Sequence, residues 1–378
     1  MLSKFPIFIL LKSFNSTMKL RYLSSFVLVF LLVANSLTLH AQNEDGSRVN
    51  WMSLQEAMQK MQTQQRPVIL DFYTDWCGWC KQMMKTTYAN EGLAGYINQN
   101  FYPVSFDAES KDTIEFLGEI YKPTGTEKRA THELAIKLLN GSLMYPTTIF
   151  MNGYEKDKNK FNLNLIVPGY LDIPKIEPIL IFTLENVYKS CNYNDFEKFY
   201  EKAMKDSTII DQIKLTNWKS ATNYLDGQHS NNKKTIILLE AEFCNSCKIM
   251  KSTSFTDSLN LAYLREKFNC VNFNVVGNDT VNFKGKIIAP GVQPGSLHPF
   301  TQTITRGNIG FPEVVILDEK LEILDVIPVY LNPEVMNNIL RFYGENIHQK
   351  KSWTDYINDL QAKKNQSVKP EQKSNEKK

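Results

Sequence analysis

No apolar run in this 378-residue chain reaches the ~20 residues that would span a bilayer. The chain also lacks any surplus of charge. Its net +3 comes from the two ends, since residues 1–41 hold Lys4, Lys12, Lys19 and Arg21 with no acid, and the tail "AKKNQSVKPEQKSNEKK" (362–378) holds six Lys and two Glu. The body between them is slightly acidic, about −5, so no global electrostatic attraction to nucleic acid exists. The tail has almost no apolar side chains to offset the entropy of ordering. A solvated, disordered end is expected there, with loose attraction to an anionic envelope surface as the sharper alternative.

What is present suits a soluble globular protein, with 43% hydrophobic and 22% charged residues and enough length for two ordinary domains. The exception is the start. From Met18, "MKLRYLSSFVLVFLLVANSLTLHAQ" gives a basic opening, a short apolar core and the small residue Ala41. This is the layout of a secretory signal peptide over 1–41, with Met18 as a second start and a cut near Ala41. No Cys follows the apolar run, which argues against a lipid-attached protein. Export would put the six cysteines in a compartment where disulfides persist, the periplasm.

Four of those cysteines fall into two pairs, "DWCGWCK" (75–81) and "EFCNSCK" (242–248), and the chain around them repeats. At an offset of 167, Trp51 meets Trp218, Cys77 meets Cys244, Cys80 meets Cys247 and Met83 meets Met250. At 166, His132 meets His298, Gly141 meets Gly307, and "YPTTIF" meets "FPEVVI". Two copies of one domain stand in tandem. In each, a helix (53–62) precedes a buried strand (68–73); the Cys pair then opens a second helix, and "FYPVSFD" alternates as a strand. A helix capped by Thr131 and stopped by Gly141, two strands and a closing helix complete an order β-α-β-α-β-β-α. That order needs a mixed central sheet flanked by helices, an α/β class. The expected organisation is domain 1 at 42–189, a helical linker at 190–215, domain 2 at 216–347, and a helix end with the basic tail at 348–378.

A cysteine at the edge of a helix start meets unpaired N–H groups and the positive end of the dipole, which favour its thiolate. Cys77 holds that position, and Cys80 lies one turn on, within reach of a disulfide. Asp71, on the strand leading in, points inward beneath Cys80 and could move a proton, unless it faces the surface. Pro146 lies where a reversal before a strand suits a cis bond, helped by Tyr145. A structural disulfide or a zinc site are the competing readings of the pair; four-Cys zinc would require both pairs to converge. Neither pair has a matched His or Met beside it, as a copper carrier would need.

With these motifs in place the chain resembles the thioredoxin superfamily over residues ~50–189 and ~217–345, and "VILDFYTDWCGWCK" looks most like the periplasmic thioredoxin-like domain of the transmembrane disulfide reductase family. The resemblance implies two tandem thioredoxin folds, Cys77 as nucleophile, Cys80 as resolving thiol, Asp71 as buried proton acceptor and Pro146 as the cis-proline beside the site. Trp76 matches the aromatic before the first Cys; Gly78 and Trp79 fill the dipeptide, Trp79 replacing the usual Pro, and Lys81 follows. A thiol–disulfide oxidoreductase that reduces or isomerises disulfides of exported proteins is implied, with a membrane-bound disulfide reductase as electron donor and no soluble cofactor. The alternative is a polypeptide-binding or docking module whose disulfides are structural.

The second copy keeps Cys244, Cys247 and Pro312, but Leu238 replaces Asp71, Phe243 replaces Trp76, and Asn245-Ser246 replaces the Gly-Trp dipeptide. Slower exchange is expected, with Glu240 and Glu242 opposing the thiolate if close. His132 and His298 sit at helix starts and read as structural. Cys270 reads as an inert core thiol, and Cys191 is a partner only if the fold brings them together.

Overall fold

The computed structural model describes residues 45–228, 232–293 and 295–367. The expected signal peptide, with Met18 and Ala41, lies outside them, as does the tail beyond Ser367. Among the described residues no helix is long and apolar enough to cross a membrane.

In the first unit Ser53 accepts from the Glu56 N–H at 3.1 Å and opens α1 (Leu54–Thr63), which buries Leu54, Ala57 and Met61. The segment β1 (Val68–Tyr73) is buried from Val68 to Phe72, Asp71 included. There follow α2 (Gly78–Thr86), α3 (Glu91–Asn100), β2 (Tyr102–Asp107), the hairpin β3 (Ile114–Phe116) and β4 (Glu119–Tyr121), α4 (Glu133–Leu138), β5 (Thr147–Glu155), β6 (Lys160–Pro168) and α5 (Ile173–Leu184). The sheet runs β2-β1-β5-β6, with β1 parallel to β2 and antiparallel to β5. Alternation along β1 sends Leu70 and Phe72 to a core under α1 and α4, and Ile69 to a second core under α2, α3 and α5. This is the mixed sheet between helices that the element order required.

Two helices, α6 (Tyr193–Lys205) and α7 (Ile209–Leu215), lead to the second unit. That unit comprises β7 (Lys219–Ser220), α8 (Ala221–Tyr224), β8 (Lys234–Glu240), α9 (Asn245–Thr253), α10 (Ser258–Lys267), β9 (Phe268–Asn274), the hairpin β10 (Val281–Phe283) and β11 (Lys286–Ile288), α11 (Pro299–Thr305), β12 (Glu313–Leu317), β13 (Ile323–Ile327), α12 (Pro333–Gly344) and α13 (Trp353–Ser367). Its sheet order, β13-β12-β8-β9-β7, repeats the first and adds a short edge strand.

Three features differ from the sequence expectation. The cap of α4 is His132, not Thr131: its Nδ1 accepts from the Leu134 N–H at 3.1 Å, and His298 does the same for Phe300 at 3.0 Å. The hairpins and the pair α3/α10 carry no strong period and were not foreseen. The helix read as a bridge, α6, has its own counterpart in α13, with Tyr193 against Trp353, Asp195 against Asp355 and Phe196 against Tyr356. That second helix continues to Ser367, into the segment whose composition suggested disorder.

The units share one core. Ile181, Phe182, Val187 and Phe196 pack with Leu238, Ile249, Met250, Phe255 and Tyr330. Phe196 stands edge-on to Tyr330 at 5.5 Å and touches Phe182 at 5.7 Å. The end of unit one is therefore part of the interior of unit two.

Candidate active site

Cys77 is the N-cap of α2; its sulfur accepts from the Cys80 N–H at 3.1 Å and is bonded to the Cys80 sulfur across a Cα separation of 5.3 Å. Cys77 keeps only 4% of its surface, so its sulfur is nearly covered. Its sequence neighbours form a rim of accessible aromatics, Trp76 at 53% and Trp79 at 63% exposed. Trp76 is held by Glu109, which accepts from its indole N–H at 2.8 Å, by the Arg129 guanidinium 5.7 Å from its ring, and by Tyr145. Trp79 leans on Tyr170. The Tyr145–Pro146 bond is cis, as expected. Gly78 and Lys81 are exposed, and a Cβ on Gly78 would meet nothing within 4 Å. Among the described residues no group accepts from the Gly78 or Trp79 N–H, so the start of α2 is open to an anion.

Asp71 is fully buried on the α2 face of β1, not at the surface. Its cross-strand partner Thr148 donates a hydroxyl hydrogen bond to Oδ1 at 2.7 Å, while Oδ2 has no partner. Burial pushes its pKa up to about 7 against the weaker pull of that hydrogen bond. A carboxyl near half-protonation at neutral pH can take and return a proton.

The second unit keeps the frame and changes its contents. Cys244 caps α9, is bonded to Cys247, and the Phe311–Pro312 bond is cis. Where unit one pairs Asp71 with Thr148, unit two pairs Leu238 with Val314. Both members of the polar pair are gone, replaced by two fully buried apolar side chains. Cys244 and Cys247 are 1% and 0% exposed, and Ser246 is 0% exposed where Trp79 is open.

The reason is a carboxylate that the sequence did not reveal. Glu185, just past the end of α5, accepts from the Asn245 N–H at 3.0 Å, from the Ser246 N–H at 2.7 Å and from the Ser246 hydroxyl. Burial is the larger effect and leaves its pKa raised, against the pull of hydrogen bonds from Ser246 and Asn245. Glu240, suspected from sequence, is occupied instead, with both oxygens 2.9 Å from Lys251, and Glu242 is exposed. A second missed acid is Glu313, directly after Pro312: it is 0% exposed, burial pushes its pKa up to about 7, and Oε1 has no partner. A glutamate interrupting "FPEVVI" where copy one has Thr147 was the available signal; for Glu185 none existed, because its partners lie 60 residues away.

The remaining candidates are structural. His132 and His298 cap their helices and reach Asp112 and Asp279 carbonyls through Nε2, at 3.0 and 2.9 Å. Cys191 and Cys270 are both free and buried, with thiol pKa values pushed up to about 11 and about 12. Met83 and Met250 are fully buried, each sulfur accepting a backbone N–H at 3.3 Å.

Residues 31–161 match a family model described as "Thioredox_DsbH: Protein of unknown function, DUF255". Among curated proteins, an uncharacterized protein of Caenorhabditis elegans is 32% identical over 79 residues, 21% of this chain and 10% of that protein. The chain thus spans about a tenth of that relative. Among solved structures, a thioredoxin-fold protein from Helicobacter pylori is 16% identical and covers 43% of this chain and 94% of its own, with a TM-score of 0.29. A DsbH oxidoreductase is 18% identical (35% and 83% covered, TM-score 0.22). The C-terminal domain of DsbD from Neisseria meningitidis, in its oxidised form, is 16% identical (33% and 92%, TM-score 0.21).

Proposed function

We propose, for a chain of the thioredoxin superfamily with one cysteine pair at an unoccupied helix start and one at an occupied start, that it is an exported thiol–disulfide oxidoreductase working through Cys77 and Cys80. Its substrates are disulfides of periplasmic proteins, which it reduces or isomerises. The observation that carries this reading is the contrast between the two helix starts: free N–H groups and an aromatic rim at Cys77, an occupied and buried end at Cys244.

In the reduced state the Cys77 thiolate attacks one sulfur of a substrate disulfide, forming a mixed disulfide and expelling a substrate thiolate, which takes a proton. Cys80 passes its proton to Asp71 and attacks the Cys77 sulfur. The second substrate thiol leaves, and the Cys77–Cys80 disulfide holds the oxidising equivalent. Trp76, Trp79 and Tyr145 offer apolar area beside the cis-proline for an extended polypeptide. Restoring the dithiol takes two electrons from another dithiol, supplied by a membrane-bound disulfide reductase; no soluble cofactor enters. The sealed pair supports a docking role for unit two.

Insulin reduction with dithiothreitol recycling tests the reading. Cys77→Ser abolishes turnover, whereas Cys244→Ser leaves it within about twofold. An inactive wild type, or loss on Cys244→Ser alone, overturns it.

A further inference from the structure

We infer that Glu185 is a positioning residue that holds the second cysteine pair out of thiol chemistry, by occupying the helix end where a Cys244 thiolate would otherwise be stabilised. The inference rests on the proposed thiol–disulfide reading for its consequence, that only the first pair turns over.

The first two N–H groups of α9 belong to Asn245 and Ser246, and both are spent on one carboxylate from the other unit. The Cys244 sulfur itself accepts from the Cys247 N–H at 3.1 Å, while the Asn245 and Ser246 N–H groups carry the positive end of the dipole whose field lowers the pKa of a cysteine capping a helix. In unit one, among the described residues, nothing accepts from the matching N–H groups of Gly78 and Trp79. An anion placed there does two things to Cys244: it screens the favourable field and adds a like charge beside any thiolate. The dipeptide explains why only the second pair is held. Ser246 adds a third hydrogen bond to Glu185 and is small enough to be covered; Trp79 at the same place projects outward.

The other charges around α9 are already committed. On α5, Glu177 takes the Tyr200 hydroxyl at 3.0 Å, while on α6 Glu197 takes that of Tyr193 at 3.1 Å and Glu201 pairs with Lys205 at 2.7 Å. On α6, too, Lys198 pairs with Asp195 at 3.3 Å. Lys202 is exposed and acts on Asp206. On α7, Asp211 pairs with Lys214 at 2.9 Å. On β8, Glu240 pairs with Lys251, and Lys248 donates to the Glu242 carbonyl at 2.8 Å. Glu313, on β12, is the remaining buried acid. Glu185 alone among them has hydrogen bonds to the dipeptide between the cysteines. Its counterpart at the end of unit two, Glu345, pairs with Arg341 at 3.2 Å instead.

Alkylation of the fully reduced full-length chain by iodoacetamide, followed across pH 5–10 by mass spectrometry of the Cys244 and Cys77 peptides, tests this. The pH midpoint reports thiolate formation and the limiting rate at high pH reports access, so loosening of the interface is read separately. In Glu185→Gln the Cys244 midpoint falls by at least one pH unit, about tenfold more thiolate at pH 7, and the Cys77 midpoint stays put. Ser246→Ala, which keeps the carboxylate and removes one of its donors, leaves the Cys244 midpoint at or above that of wild type. A Cys244 midpoint unmoved by Glu185→Gln, or one that moves together with Cys77, overturns the inference. A high Cys77 midpoint in the wild type would instead count against the proposed function, whatever Glu185 does.

Discussion

Replacing Asp71 with Asn isolates the energetic consequence of burying that carboxyl. In the folded chain its pKa is about 7, against 3.8 for the free side chain. The sign follows from proton counts. Between pH 4 and 7 the unfolded chain has already lost this proton while the folded chain keeps it, so stability falls as pH rises and levels off above the folded value. About three pK units at 1.36 kcal/mol each give a loss of about 4 kcal/mol between pH 4 and pH 8, an upper bound because a buried site relaxes. Asn keeps an acceptor for the Thr148 hydroxyl, so most of the hydrogen bond survives. Guanidinium denaturation of the oxidised protein, followed by circular dichroism at pH 4 and pH 8, reads the effect. Wild type weakens across this range by several kcal/mol more than Asp71→Asn, and the variant is the more stable protein at pH 8. Equal pH dependence in the two proteins refutes the buried-carboxyl reasoning.

The same substitution in the reduced protein slows disulfide exchange, by about 10²-fold in a single-turnover assay at pH 7, as expected for loss of a proton acceptor. Leu238→Asp places a charge opposite Val314, where no hydroxyl awaits it; it lowers the unfolding free energy by about 3 kcal/mol or more, and adding Val314→Thr recovers part of this. Phe196→Ala removes the ring shared by both units and costs about 3–5 kcal/mol, separating one unfolding transition into two in a calorimetric scan. His132→Ala loses a helix cap and costs about 1 kcal/mol without changing insulin turnover, which checks its structural role.

The duplication, the strand 68–73, the helix-capping cysteines and the cis-prolines were legible because each is local or repeats at a fixed spacing. A buried strand needs only its own side chains, and a capped helix only three or four residues. His132 displaced Thr131 as cap because the imidazole also reaches the Asp112 carbonyl, a contact made by the fold. The loss of Asp71 in copy two read as an isolated gap; the structure makes it a paired exchange, since Thr148 and Val314 become neighbours of β1 and β8 only once the sheet forms.

By itself the sequence determined the units, their order and the two thiol pairs, because periodicity, caps and repeats are written along the chain. Which helix start is occupied was decided in three dimensions. The end of one unit became interior to the other, and that placed Glu185 on a helix start whose residues lie far from it along the chain. Charge and burial at a helix terminus depend on what packs there, and no stretch of either repeat encodes that alone.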